Sequence, residues 1–89
     1  MNPYKEGDIV VHIKGRSVAS YTRGAGWVKD RIWKVFIREG QSKDIVWTEE
    51  GHGVEPEFVR LATPQEIEWF LQGHSSITNM PKQFNYEIY

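Results

Sequence analysis

The stretch "FVRLATPQEIEWFLQG", Phe58 to Gly73, changes its period in the middle. Its first five residues, Phe58–Ala62, are β-branched and apolar enough to form a short strand. From Thr63 onward the spacing is helical. Thr63 stands as N-cap, Pro64 occupies the first helical position, and Glu66 completes a Thr-x-x-Glu capping box. Ile67, Phe70 and Leu71 form an i, i+3, i+4 apolar stripe, and Gly73 stands where a helix of about ten residues would be capped. A final strand running directly into a capped helix implies a β domain closed by one helix.

Upstream of that stretch the chain reads as strands. "GDIVVHI" (Gly7–Ile13) alternates, with Ile9, Val11 and Ile13 on one face and Val10 and His12 on the other. "RIWKVFIRE" (Arg31–Glu39) places Trp33, Val35 and Ile37 inward and Lys34, Phe36 and Arg38 outward. After a polar turn at 40–43, "DIVWT" (Asp44–Thr48) pairs with it as a hairpin. "EEGHGVEPE" (Glu49–Glu57) reads as a glycine-rich turn. The tail, 74–89, lacks periodicity until "FNYEIY", which alternates and suits an added edge strand. The expected fold is therefore mainly β with one short helix. Residues 1–73 would form a small bent antiparallel barrel plus that C-terminal helix.

Eighty-nine residues make one domain. The absence of cysteine excludes disulfides, thiolate zinc sites and thiol nucleophiles. No apolar run approaches the ~20 residues of a membrane span, and the N-terminus lacks a signal-peptide pattern, so a soluble cytoplasmic protein is expected. The net charge of −1 conceals a division. Residues 14–38 carry seven bases against one acid, and residues 39–89 carry nine acids against three bases. The two halves either neutralise each other across the fold or create a binding field.

The segments "GDIVV", "WVKDRIWKV" and "GVEPEFVRLATPQEI" together resemble small Src-homology-three-like barrels, and also short phage-encoded proteins that open and close on such motifs. The resemblance spans residues 7–67 and carries no catalytic residue. It implies a barrel whose long first connection forms one wall of a ligand groove. It also implies a module that docks on a host or phage protein and modulates it. The first connection here, within "GRSVASYTRGAGW" (Gly15–Trp27), is basic and lacks the acidic, tyrosine-paired groove motif of peptide-binding members.

A purely structural connection between adjacent strands takes roughly two to six residues, so this long loop is expected to make contacts. Arg16, Tyr21, Arg23 and Trp27 are its candidate contact residues, with Lys29 beside them; Arg, Tyr and Trp dominate interface hot spots. The outward row Lys34, Phe36 and Arg38 joins them. That row also matches how single-stranded nucleic acid is held, with phosphates on cations and a base on the ring, so nucleic-acid binding through residues 14–38 is the alternative. Cover of Phe36 by the C-terminal helix, in a patch shared with Val10, is the competing structural role.

His12, His52 and His74 match no metal-ligand spacing, and solvated or hydrogen-bonded histidines are expected. Gly24–Gly26 lacks the strand and helix that a phosphate loop needs. Glu49, Glu50, Glu55 and Glu57 read as a solvated face. No acid, base and oxyanion donor can be named together, so neither catalysis nor a cofactor is expected, and a small-ligand or enzymatic role at the acidic glycine-rich turn is only the weaker alternative. Trp33 and Trp47 are assigned to the core, and Trp69 to the seam between helix and barrel. The sequence leaves the partner and the oligomeric state open.

Overall fold

A computed structural model describes residues 2–15, 19–20, 29–49 and 51–81. Among the described residues six strands, β1 (Ile9–His12), β2 (Ala19–Ser20), β3 (Ile32–Lys34), β4 (Val46–Trp47), β5 (His52–Val54) and β6 (Val59–Leu61), with a 3-10 turn at Pro56–Phe58, precede one α-helix, α1 (Pro64–Leu71). They form two three-stranded antiparallel sheets, β3-β1-β6 and β2-β5-β4. The sheets meet where Val35 bridges Thr48. There the Phe36 N–H donates to the Trp47 carbonyl (2.9 Å) and the Glu49 N–H to that of Lys34 (3.1 Å). The chain is mainly β with one short helix, as expected. Pairing that would close the two sheets into a barrel is not seen among the described residues.

Between the sheets lies a core of Val10, Trp33, Val35, Val46, Val54 and Val59, with Tyr4 packed against it. Register explains its membership. Val10 stands opposite Trp33, His12 opposite Val59, and Val46 opposite Val54, so these side chains share one surface. β1 is buried on both faces, however. Val11, opposite Ile32 and Arg60, belongs to the other face, and both Val11 and Ile32 are fully buried. Helix α1 is tied to that second face rather than to a patch of Phe36 and Val10.

The tie is Arg60. Its Nη1 and Nη2 donate to Glu66 Oε1 and Oε2, each at 2.7 Å. Glu66 also completes the capping box: its Oε1 accepts from the Thr63 N–H (2.8 Å), while Thr63 Oγ1 accepts from the Glu66 N–H (3.2 Å). The helix therefore turns a carboxylate inward and keeps much of its apolar stripe out. Ile67 and Phe70 are half-buried, and Leu71 is 74% exposed. At the other end Gly73, at φ +106°, and His74 donate to the carbonyls of Phe70 and Trp69, a Schellman ending. Beyond it Ser76 bridges Arg31, adding backbone pairing along the outer edge of β3. "FNYEIY", the expected edge strand, lies outside the described residues.

Thr63→Ala removes one of the two capping bonds while leaving the ion pair. The expected cost is about 1 kcal/mol, read from urea melts; overlaying melts would show that the cap contributes nothing.

Two sequence expectations are corrected here. "EEGHGVEPE" is not simply a turn, because its centre, His52-Gly53-Val54, is the buried middle strand of the second sheet. Two glycines and several acids hid a strand whose middle position must be small. A Cβ on Gly53 would stand 2.9 Å from the Trp47 ring and 3.0 Å from Ile45. Ile37 does not face the core; β3 separates from β4 after Phe36, leaving Ile37 46% exposed. Of the two states expected of the histidines, solvated or hydrogen-bonded, His12 takes the second, and both His12 and His52 are buried. His52 stacks on Trp33 (5.0 Å, 18°), while His12 meets it edge-on (5.4 Å, 73°) and donates from Nε2 to the Lys14 carbonyl. Within the long first connection, Ala19–Ser20 pairs with His52–Gly53.

Candidate partner-binding cleft

The outward row predicted on the second strand does converge. Trp33 and Val35 are buried, so alternation turns Lys34, Phe36 and Arg38 to the opposite surface. Phe36 is half-buried and Arg38 exposed, with the Arg38 guanidinium carbon 4.7 Å from the centre of the Phe36 ring. At that distance the guanidinium and ring attract by about 0.5–1 kcal/mol at an exposed site. The contact also holds the cation over an aromatic surface instead of leaving it to sweep through solvent. The Arg38 backbone is fixed as well, its N–H donating to Gln41 Oε1 (3.1 Å).

Trp47 supplies the neighbouring aromatic wall. It is half-buried rather than a core residue: Val46 takes the inward position and alternation puts Trp47 on the other face, over Gly53. Phe36, Arg38, Gln41, Trp47, Thr48 and Glu49 enclose an open cleft of about 320 Å³. Thr48 is buried and accepts from the His52 N–H through Oγ1 (3.3 Å), which ties the cleft floor to β5. At the rim, Lys34 Nζ lies 3.8 Å from Glu49 Oε2, with both groups about half exposed. Such a pair is worth little to stability, but it neutralises one of the cations in the row.

Of the remaining candidates, Lys29 is exposed and stands in the turn leading into β3, away from the cleft. Arg16, Tyr21, Arg23 and Trp27 lie outside the described residues. The residues that sequence reasoning missed are Trp47 and Gln41. The signal for Trp47 was present: a tryptophan beside a buried valine, with a glycine on the neighbouring strand, marks a ring laid across a sheet. Nothing in the sequence distinguishes Gln41 from any polar turn residue.

The other aromatic cluster is internal to the tail. Trp69 donates from Nε1 to the Ser76 carbonyl (2.8 Å) and stacks on His74 (3.5 Å, 6°), so it fastens the segment after the helix. Among the described residues, no three His, Cys, Asp or Glu side chains are placed to hold a metal ion. No helix among them is long and apolar enough to cross a membrane. Comparison with protein-family models, curated protein sequences and solved structures finds no match to this chain.

Proposed function

We propose that this chain is a non-enzymatic binding module that docks on a protein partner through the exposed face of β3 and β4. In keeping with the sequence resemblance, we propose a phage-encoded protein on a Src-homology-three-like barrel, acting on host or phage machinery in the cytoplasm. Two three-stranded antiparallel sheets joined at the Val35–Thr48 bridge, and a first connection whose Ala19–Ser20 strand returns to pair with β5, are compatible with that architecture.

The observation that carries the function is the cleft itself: an arginine held over one aromatic ring beside a second. Arg and Trp are the side chains that most often anchor protein interfaces. The cleft offers stacking, a cation and hydrogen bonds, with no histidine, aspartate or cysteine on its walls, which suits holding rather than transforming. Nucleic acid fits less well. Glu49 lines the same cleft and occupies Lys34, and the chain as a whole carries −1, where nucleic-acid-binding domains are usually basic.

Retention of a protein from host lysate, with and without nuclease, tests this reading. Arg38→Ala should leave the melting temperature nearly unchanged and weaken capture of the purified partner by about 1–2 kcal/mol. Retention abolished by nuclease would point to nucleic acid instead. Full-strength binding by Arg38→Ala would remove the cleft from the interface.

A further inference from the structure

A second cleft adjoins the first. It shares Arg38 and Gln41 with it and opens between the N-terminal segment and the loop joining β3 to β4, with a volume of about 290 Å³. We propose that this cleft binds a small amphiphilic carboxylate, a short apolar body ending in a single carboxylate group.

Its apolar surface comes from Tyr4, Ile37 and Ile45. Tyr4 is oriented by its hydroxyl, which donates to the Val59 carbonyl (3.2 Å), so its polar end is engaged elsewhere. Burial, with the nearby Asp8 charge second, raises the phenol's pKa and keeps it neutral. Ile37 is the aliphatic side chain that the strand pattern assigned to the core, yet it stands nearly half exposed over the cleft. Both walls are fixed by hydrogen bonds. Asn2 donates from its backbone to the Lys43 carbonyl (2.7 Å) and accepts from the Tyr4 N–H through Oδ1 (2.9 Å). Across the opening, the Ile37 N–H donates to Glu6 Oε1 (3.0 Å).

The charge at the rim selects the ligand's head group. Arg38 and Lys43 line the cleft with one acid, Glu39, while a second carboxylate, Glu6, is engaged at its edge by the Ile37 N–H. Among the described residues neither cation has an acidic partner within ion-pairing distance. An anion reaching the rim meets the two cations Arg38 and Lys43, while the apolar part of the same ligand covers Ile37 and Ile45. The size selects the rest. The volume lies just below the roughly 300–1,000 Å³ typical of small-molecule sites, and walls on two sides suit a small molecule better than an extended chain. This site overlaps the proposed protein interface at Arg38 and Gln41 and is told apart from it by Lys43 and Ile37, which line only the second cleft.

The probes are hexanoate, hexanol and hexylamine, followed by backbone amide shifts of the whole chain. Hexanoate should give saturable shifts centred on Ile37, Gly40 and Ile45, with a Kd of about 1–10 mM for so small a ligand. Hexanol should bind about two- to fivefold more weakly, the margin an exposed ion pair supplies, and hexylamine more weakly again. Lys43→Gln should remove about that same margin for hexanoate and leave hexanol unchanged. Ile37→Ser should weaken both, with an unchanged melting temperature. Equal affinities for the three probes, shifts scattered over the molecule, or no saturation would each overturn the assignment.

Discussion

Trp33→Ala should lower the stability of this domain by about 3–5 kcal/mol, the range for deleting a fully buried tryptophan. For 89 residues that is a large share of a total expected to lie near 5–10 kcal/mol. Trp33 is 2% exposed and sits in the inter-sheet core, with one histidine stacked on it and another in a T-shaped contact. Removing it opens a cavity that rigid strands cannot fill, and it deprives both imidazoles of their packing partner. Trp33→Phe should cost markedly less. The indole N–H has no hydrogen-bond partner among the described residues, so phenylalanine discards a buried donor along with the lost ring area. Denaturant melts of the two variants decide the matter. Equal losses would mean that the indole N–H is satisfied in solution.

Arg60→Ala is expected to cost about 2–4 kcal/mol, below the full range for breaking a buried pair because the arginine side is 40% exposed. The carboxylate is the buried member, at 6%, and without the guanidinium it keeps only its capping bonds. The effect has a pH signature. The Arg60 hydrogen bonds hold the Glu66 carboxyl below the usual range; burial opposes this, and the Thr63 backbone bond reinforces it. Because the folded-state pKa is depressed, the associated stability is complete above the ordinary glutamate pKa. It is lost as pH falls through the folded value. The difference between parent and Arg60→Ala should therefore be largest at neutral pH and narrow toward about pH 3. A difference that stays constant over that range would show that Arg60 acts by packing alone. Arg60→Met combined with Glu66→Leu should recover much of the loss, since an apolar pair needs no compensating charge.

Legibility in the sequence followed how local each feature is. The capping box at Thr63 and Glu66, the proline at the first helical position and the glycine after the helix are contacts within one or two turns. All four stand where the residues predicted. Likewise Lys34, Phe36 and Arg38 share a surface because a strand's period of two needs only one correct inward assignment, and Trp33 with Val35 provided it. The strand at His52–Val54 was not legible. Glycine and histidine signal a turn by propensity, and only the Trp47 ring lying over Gly53 explains why a small residue occupies the middle of a sheet. Trp47 itself looked like core for the same reason, since a large aromatic in a strand carries no mark of which face the partner strand will cover.

By itself the sequence determined the mainly β character with one short helix, that helix's two ends, and the outward row on the second strand, because each depends on neighbours a few residues away. Tertiary structure decided the rest. It buried β1 on both faces, set His12 and His52 against Trp33, aimed Glu66 rather than the Ile67–Phe70–Leu71 stripe inward, and separated β3 from β4 early enough to leave Ile37 over a cleft. Each of these turns on which distant surface arrives to cover a side chain. The free energy of burying a group is set by that surface and not by the residue's own neighbours in the chain.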